Sequence, residues 1–520
     1  MASLVWAYSH INWDAIEIKY KTALATTSTV GTSTGNPGKM SDISKTPVVE
    51  TTTLDREEFL ASFSLEEEKK IRRKVDKRFF LLIGLMYMVK QIDVNNVSSI
   101  KVLQVGQDSN ILTELNMSAN QYNWVSSIYT IAYIIFETPS NLLLKKMTPR
   151  LWQTRIFLTW GIVLACQGAV QNRQGLLALR FLLAMLETGS YPGILTQLNS
   201  WYPSEEMATP VAWLMGISQC SSIVGSLLCY GISYMDGIRG LSAWRWVFII
   251  EGIITVLFSG VIYAVLPDYP KSPRSNTWLT PREQDFIEAR LGKNAPKTSD
   301  PAFSKKEILA ALRSPIQWSF TFSQMLINLG MYALQWYLPT LTTSFGFTTL
   351  PANQLLNIPP AVTGIFGVVL GAFILRQAIF PRPIQLMVYN GGIIIAFILF
   401  FAVSATPGLY VACMLGTFFI TIYYIPFISW RSATMKGATG TAFAWGLQNS
   451  IGQLGGVIGP QLFRSEWAYN RYKNSFAIAL AGVVTAIASN LACWWWTKEQ
   501  ERDTFKAARA KKQQQKLDNA

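Results

Sequence analysis

The sequence predicts an all-α membrane protein with twelve transmembrane helices in two sets of six, and three observations carry that prediction. Twelve apolar stretches of spanning length lie between Phe79 and Trp496, six on each side of a charged segment from Pro267 to about Pro315. Hydrophobic residues make up 50% of the chain and charged residues only 15%, where a soluble domain carries about 25% charged. The basic clusters recur in loops that alternate spans assign to one side. A spanning helix needs roughly 20 mostly apolar residues to cross about 30 Å of hydrocarbon. Stretches such as Ile384 to Ser404 and Leu409 to Trp430 reach that length without an acidic residue.

Taken in order, residues 1–78 read as a disordered cytoplasmic tail, because the Thr/Ser/Gly-rich run from Thr22 to Thr53 lacks the apolar content to fold. No basic segment followed by a continuous apolar core is present, so the tail is not a signal peptide. Met40 opens MSDISKTPVVE and is a candidate alternative start of translation. The first set of spans, residues 79–266, falls near Phe79 to Ile100, Tyr122 to Leu144, Leu151 to Val170, Leu176 to Tyr202, Val211 to Ser233 and Trp246 to Leu266. Residues 267–315 form a cytoplasmic linker. Within it LTPREQDFIEARL, Leu279 to Leu291, places Pro281 and early acids where a short surface helix begins. The second set, residues 316–496, falls near Gln317 to Leu338, Gln354 to Ile379, Ile384 to Ser404, Leu409 to Trp430, Thr441 to Phe463 and Ser475 to Trp496. Residues 497–520 are read as a cytoplasmic tail.

The formal net charge is +14, and its location decides its meaning. Lys69, Lys70, Arg72, Arg73, Lys74, Lys77 and Arg78 precede the first span, Lys145, Lys146 and Arg150 follow the second, and Arg376 and Arg382 flank the end of the eighth. These loops share one side, which the positive-inside rule makes cytoplasmic, together with both tails. Arg464, Arg471 and Lys473 in an outside loop run against that majority. The basic balance therefore speaks for a membrane surface and against nucleic acid. Cys166, Cys220, Cys229, Cys413 and Cys493 all fall inside predicted spans without paired spacing and read as small buried hydrophobes. The single histidine, His10, lies far from any span, so neither a His/Cys metal site nor a His proton relay is available. No nucleophile, base and orienting group occur together, and no phosphate-binding motif is present; an enzyme and an ATP-driven pump are both excluded, and no cofactor is expected. Asn116-Met117-Ser118 is a glycosylation sequon in the first outside loop.

Four carboxylates fall within or at the ends of spans, Asp93, Glu137, Glu187 and Glu251, whereas Ile308 to Ser465 contains no acid. An ionisable group at mid-membrane is costly and marks either a functional group or half of a pair. Glu187 lies seven residues after Arg180, two helical turns on one face. It reads either as a carboxyl that takes up and releases a proton during transport or as half of a packing salt bridge. Gly189, Pro192 and Gly193 follow and loosen the helix. Asp93 follows Lys90 by three residues, a spacing that lets them pair on one face. Glu137 and Glu251 sit nearer span ends, where local helix or loop hydrogen bonds are expected to hold them. Polar aromatic and amide residues recur in the second half: Tyr332, Gln335 and Trp336, then Tyr423 and Tyr424, then Trp445, Gln448 and Asn449. These serve as interfacial anchors or line a pathway. The small residues of GLQNSIGQLGGVIGP, Gly446 to Pro460, suit tight helix contact.

From about Val75 onward the chain resembles a fungal major facilitator of the allantoate permease family, the anion:cation symporters that include nicotinate, pantothenate and biotin carriers. The resemblance rests on ETPSNLLLKKMTP (Glu137 to Pro149), RFLLAMLETGSYPG (Arg180 to Gly193), WYPSEE (Trp201 to Glu206), YGISYMDGIRGLSAWRWVFIIEG (Tyr230 to Gly252) and GQLGGVIGPQLF (Gly452 to Phe463). It implies two six-helix bundles around a central cavity, the major facilitator fold, with Arg180 as the fourth-span arginine associated with proton coupling and Glu187 beside the cavity. The family's Asp-Arg-x-Asn motif reads Asp93, Val94, Asn95, Asn96 here, so its arginine is missing. Lys90, one turn before Val94, stands in as the positive charge. Arg376 and Gln377 replace a common Asp-Arg after span eight, and Thr434 stands where Asn is frequent.

The leading expectation is a monomeric plasma-membrane transporter that couples protons to import of a small carboxylate-bearing solute by alternating access. Glu187, Arg180 and Asp93 are assigned to proton coupling. Lys90, Asn95, Tyr191, Gln335, Trp336, Tyr423 and Gln448 are the candidate solute contacts. Efflux of a fungal metabolite and a non-transporting nutrient sensor stay open as alternatives.

Overall fold

Ser64 begins the first long helix by a reciprocal cap: its side chain accepts from the Glu67 amide while the Glu67 carboxylate returns to the Ser64 amide. The computed structural model describes residues 53–144, 147–203, 206, 208–291, 305–344, 352–435 and 438–518. All regular elements among them are helical. The chain divides into residues 1–55 and 56–520, and apart from the first three residues of the opening helix, Thr53–Asp55, the account below concerns the second unit. Met40, Lys145 and Lys146 lie outside the described residues.

The first half contains α1 (Thr53–Ala61), α2 (Leu65–Lys101), α3 (Ile111–Glu114), α4 (Ala119–Leu144), α5 (Pro149–Gln167), α6 (Arg173–Glu187), α7 (Ser190–Asn199), α8 (Ala208–Ser233) and α9 (Ala243–Val265). The linker holds α10 (Pro281–Arg290) and α11 (Lys305–Arg313). The second half contains α12 (Pro315–Ser344), α13 (Ile358–Gln377), α14 (Arg382–Ala402), α15 (Thr406–Ala433), α16 (Ala438–Gly452), α17 (Leu454–Gln461) and α18 (Lys473–Asp518). Within the first half α5 packs on α9 and α8 on α2; within the second, α13 and α14 pack on α15 and α12 packs on α18. The halves meet along two lines, α4 against α16 and α17, and α8 against α13.

Among the described residues, five helical segments suffice by length and apolarity alone to cross a membrane: Ala243–Val265, Ala352–Gln377, Arg382–Ala402, Thr406–Ala433 and Lys473–Ala510. The remaining predicted spans carry buried charges, runs of Ser, Thr, Gln and Asn, or a break in the helix, all of which lower their hydropathy. Large apolar side chains such as Leu257, Phe366 and Val388 are exposed on the outer surface, where lipid would cover them.

Two boundaries differ from the sequence reading. Residues from Thr53 to Arg78, read as part of the disordered tail, are largely helical because α2 begins at Leu65, well before its apolar stretch. Residues after Trp496, read as a separate tail, continue α18 to Asp518, and the Arg382 guanidinium pairs with Glu501 at 2.5 Å on this extension. The linker helix starts at Pro281 as expected, with a Thr280/Glu283 capping box. It is not free on the surface: Lys74 pairs with Glu283 at 2.7 Å, and Arg290 and Arg72 share Glu206. The cysteines also divide. Cys229, Cys413 and Cys493 are buried, whereas Cys166 is exposed and Cys220 half-exposed, because an apolar stretch does not say which of its faces meets lipid.

The two halves repeat one another at the end where α2 enters the bundle and α18 leaves it. Asp76 and Phe79 of α2 meet Trp201 and Tyr202, with Phe79 and Trp201 ring centroids 5.1 Å apart and the Tyr202 hydroxyl donating to Asp76 Oδ1 at 2.9 Å. At the same spacing Gln317 and Phe320 of α12 meet Trp430 and Arg431, with Phe320 and Trp430 centroids 5.0 Å apart and Arg431 donating to Gln317. Side chains thus carry the internal repeat expected of a duplicated bundle.

At the opposite end Glu114 staples α3 to α9. Its carboxylate accepts from Ser242 Oγ (2.5 Å), Trp244 Nε1 (2.7 Å) and the Arg245 guanidinium (2.5 Å), and Arg245 Nη1 also donates to the Gly168 and Val170 carbonyls. Burial alone would push the Glu114 carboxyl up, but hydrogen bonds from Ser242, Arg245 and Trp244 outweigh it and hold it below the ordinary carboxylate value. A depressed folded-state value means that the staple's contribution is present above the unfolded value and is lost as pH falls through the folded one. Glu114→Gln is expected to lower the Tm near neutral pH, with the difference from wild type closing in acid; equal Tm deficits at both pH values would contradict this.

Candidate functional site at the seam

Glu187 ends α6 because the chain turns there: Gly189 adopts φ of 87° before α7 begins. The break exposes backbone carbonyls, and neighbouring helices satisfy them. Ser140 Oγ donates to Thr188 O at 2.6 Å, Trp152 Nε1 to Gly189 O at 3.2 Å and Gln153 Nε2 to Ser190 O at 2.9 Å. A Cβ at position 189 would lie 2.3 Å from Ser140 Oγ in a left-handed backbone. Gly189→Ala is therefore expected to cost about 1–3 kcal/mol, read as a lower Tm; an unchanged Tm would show that the break is not under this constraint.

The Glu187 carboxylate is wholly buried. Lys90 Nζ of α2 lies 3.4 Å from its Oε1, and the Tyr129 hydroxyl of α4 donates to its Oε2 at 2.8 Å. Lys90 also donates to the Tyr133 hydroxyl at 3.2 Å and sits 4.6 Å from the Tyr133 ring centroid. Tyr129 and Tyr133 are one turn apart on α4, a spacing visible in the sequence that its reading did not use. The Tyr87 and Tyr191 rings approach to 5.4 Å beside this pair.

A second charged group lies deeper in the first half. Arg180 Nη1 pairs with Asp93 Oδ1 at 3.3 Å, Trp160 Nε1 of α5 donates to Asp93 Oδ2 at 3.2 Å, and the Arg180 guanidinium lies 5.2 Å from the Phe248 ring. The expected pairing of Lys90 with Asp93 therefore does not occur: each turns to a residue of α6 instead. Arg180 and Glu187 are both buried, yet each is neutralised by α2 and not by the other.

Glu137 and Glu251 also depart from expectation, since neither is held locally. Glu137 accepts from Asn449 Nδ2 and Ser450 Oγ of α16, both at 2.6 Å, across the seam. Glu251 of α9 accepts from Asn96 of α2.

Of the candidate solute contacts, Lys90, Tyr191, Asn95 and Gln335 come to the seam, where Gln335 of α12 donates to Asn95 and Asn95 donates to Ser221 and Ser222, both at 3.1 Å. Trp336 lies toward the start of α4: its Nε1 donates to Asn123 at 2.9 Å, and Asn123 Nδ2 reaches the Phe463 carbonyl. Gln448 donates to Gln324 Oε1 at 2.8 Å. Tyr423 is corrected: its hydroxyl is held by Ser323 and Asn490 inside the second half. The neighbouring Tyr424, which donates to Asn328, lies within electrostatic reach of Tyr87, Tyr191 and Tyr332. Asn116 is exposed, in the left-handed region at φ of 50°.

Hydrogen bonds across the seam run from Asn120 and Asn123 through Ser127 to Glu137. A buried ion pair ringed by tyrosines where two six-helix halves meet can bind a charged solute and hold or release a proton. A family comparison decides the assignment: the model of the Major Facilitator Superfamily matches residues 83–460. The chain belongs to that superfamily. This major facilitator is similar to the "MFS transporter prlL" of Fungal sp. (strain NRRL 50135), with 30% identity over 57% of this chain and 59% of that one, so the match spans under two-thirds of the relative. It is also similar to a protein of Agrobacterium vitis named "Putative tartrate transporter", with 28% identity over 82% of this chain and 96% of that one. A crystal structure of a bacterial homologue of the human lysosomal transporter Spinster, inward-facing and occupied, superposes with a TM-score of 0.56 at 14% identity over 81% of this chain and 96% of that one, which establishes the fold. This major facilitator is thus a membrane transporter of small-molecule solutes, and its family and relatives are transporters, not enzymes.

Proposed function

We propose that the chain is a proton-coupled symporter that imports a small organic anion across the plasma membrane. The observation that carries this reading is the buried Lys90–Glu187 pair at 3.4 Å, tied to α4 through Tyr129 and Tyr133. A solute carboxylate that enters at the seam competes with Glu187 for Lys90. Glu187 then holds its charge in low dielectric unless it takes a proton, so anion and proton are bound together. Coupling follows because the alternating states bind both with different affinity. The tartrate in the name of the Agrobacterium vitis relative is a dicarboxylate and supports an anionic solute. The positive-inside distribution supports cytoplasmic termini, and the exposed Asn116 supports a glycosylated outer loop. Residues 79–266 and 316–496 are the two bundles of this reading, with the chain acting as a monomer.

The test is uptake in yeast lacking its own nicotinate, pantothenate, biotin and allantoate carriers, with and without a protonophore. Growth rescue on one compound, abolished by the protonophore, is expected, as is loss of accumulation in Glu187→Gln. Full concentrative uptake by that variant would overturn the role of Glu187. Net loss of a preloaded solute would turn the direction to efflux.

A further inference from the structure

Among the described residues, the buried ionisable groups at the middle of the first half are Lys90, Asp93, Glu137, Arg180, Glu187 and Glu251. Two are cations and four are carboxyls, so full ionisation would leave buried negative charge uncompensated. Glu187 has Lys90, Asp93 has Arg180, and Glu137 is held by two donors from the second half. Glu251 is different. Its Oε1 accepts from Asn96, one turn after Asp93, while its Oε2 is buried without a hydrogen-bond partner. Arg180 offers the complement: Nη1 goes to Asp93, and its Nε and Nη2 are buried with nothing to donate to.

We propose that Glu251 is a second proton-carrying carboxyl and that Arg180 alternates between Asp93 and Glu251. With Arg180 on Asp93, as here, Glu251 carries the proton. With the guanidinium's unused donors turned to Glu251, the proton resides on Asp93. Each arrangement comprises one carboxylate, one guanidinium and one carboxylic acid, so the trio stays neutral and only an O–H bond is exchanged. A buried neutral acid with one unpartnered oxygen costs far less than a buried carboxylate in the same place. The groups facing Glu251 fit this. Asn96 of α2 touches it directly, and Asp93 of α2, Arg180 of α6 and the Cys229 thiol of α8 lie close enough to act on its charge, while α5 meets the next residue, Gly252, through the backbone at Ala165. The inference does not depend on which solute is carried or on Glu187.

The test is infrared difference spectroscopy, wild type minus variant, on the full-length transporter in lipid vesicles at one near-neutral pH and without solute. A carboxylic C=O band is expected that disappears in Glu251→Gln and persists in Glu187→Gln. Asp93→Asn frees Arg180 for Glu251, so the same band should also vanish there. A band that survives Glu251→Gln, or one that survives Asp93→Asn, would overturn the proposal. The Asp93→Asn arm decides the matter alone if Glu251→Gln does not fold. Concentrative uptake by Glu187→Gln would sink the Glu187 mechanism and leave this result untouched.

Discussion

Arg180→Ala is expected to abolish transport and to destabilise the folded protein by about 3–5 kcal/mol, the range for removing one partner of a buried pair. Arg180 is 1% exposed and Asp93 2% exposed, so water cannot replace the lost charge. Only Trp160 Nε1 would remain on Asp93. The double variant Arg180→Ala with Asp93→Asn removes the stranded carboxylate and should recover much of the stability without recovering transport. Thermal unfolding in detergent measures the first effect and uptake the second. A single variant as stable as wild type would mean that Asp93 does not depend on Arg180.

Gly455→Leu is the second large effect, about 3 kcal/mol, at the upper end of what overpacking costs. A Cβ at 455 would lie 2.5 Å from both Leu329 N and Met325 O. Those are backbone atoms of α12, and no rotamer change can clear them; α12 and α17 must separate. Because α17 also faces α4, where Ser127 Oγ donates to Val457 O at 2.9 Å and Gln461 donates to Ser127 at 2.9 Å, the displacement reaches the seam. Spin labels at Asp108 and Tyr469, both exposed, should report a broadened distance distribution. Wild-type Tm and an unchanged distribution would show that the contact is soft.

Much of this was legible in one dimension. Span length, the basic loops and the helix start at Pro281 follow from local chemistry, and so does the break after Glu187, which Gly189 announces. The pairing of charges was not legible, because periodicity fixes a residue's face but not what faces it. Lys90 and Asp93 sit three residues apart, yet their partners lie 97 and 87 residues away on α6. Glu137 finds Asn449 at a separation of 312. Tyr423 and Tyr424 differ only by the rotation of one helical step, which turns one into the second half and the other toward the tyrosines beside Lys90. Apolar content alone could not phase α15 against its neighbours.

The continuation of α18 to Asp518 makes the second half a mechanical lever. Seventeen residues beyond the anchor at Glu501 correspond to about 26 Å of rigid rod at 1.5 Å per residue. A tilt of the second half by about 10° would sweep the rod's tip through roughly 4–5 Å over that length. A fluorophore fused there would read any such tilt directly.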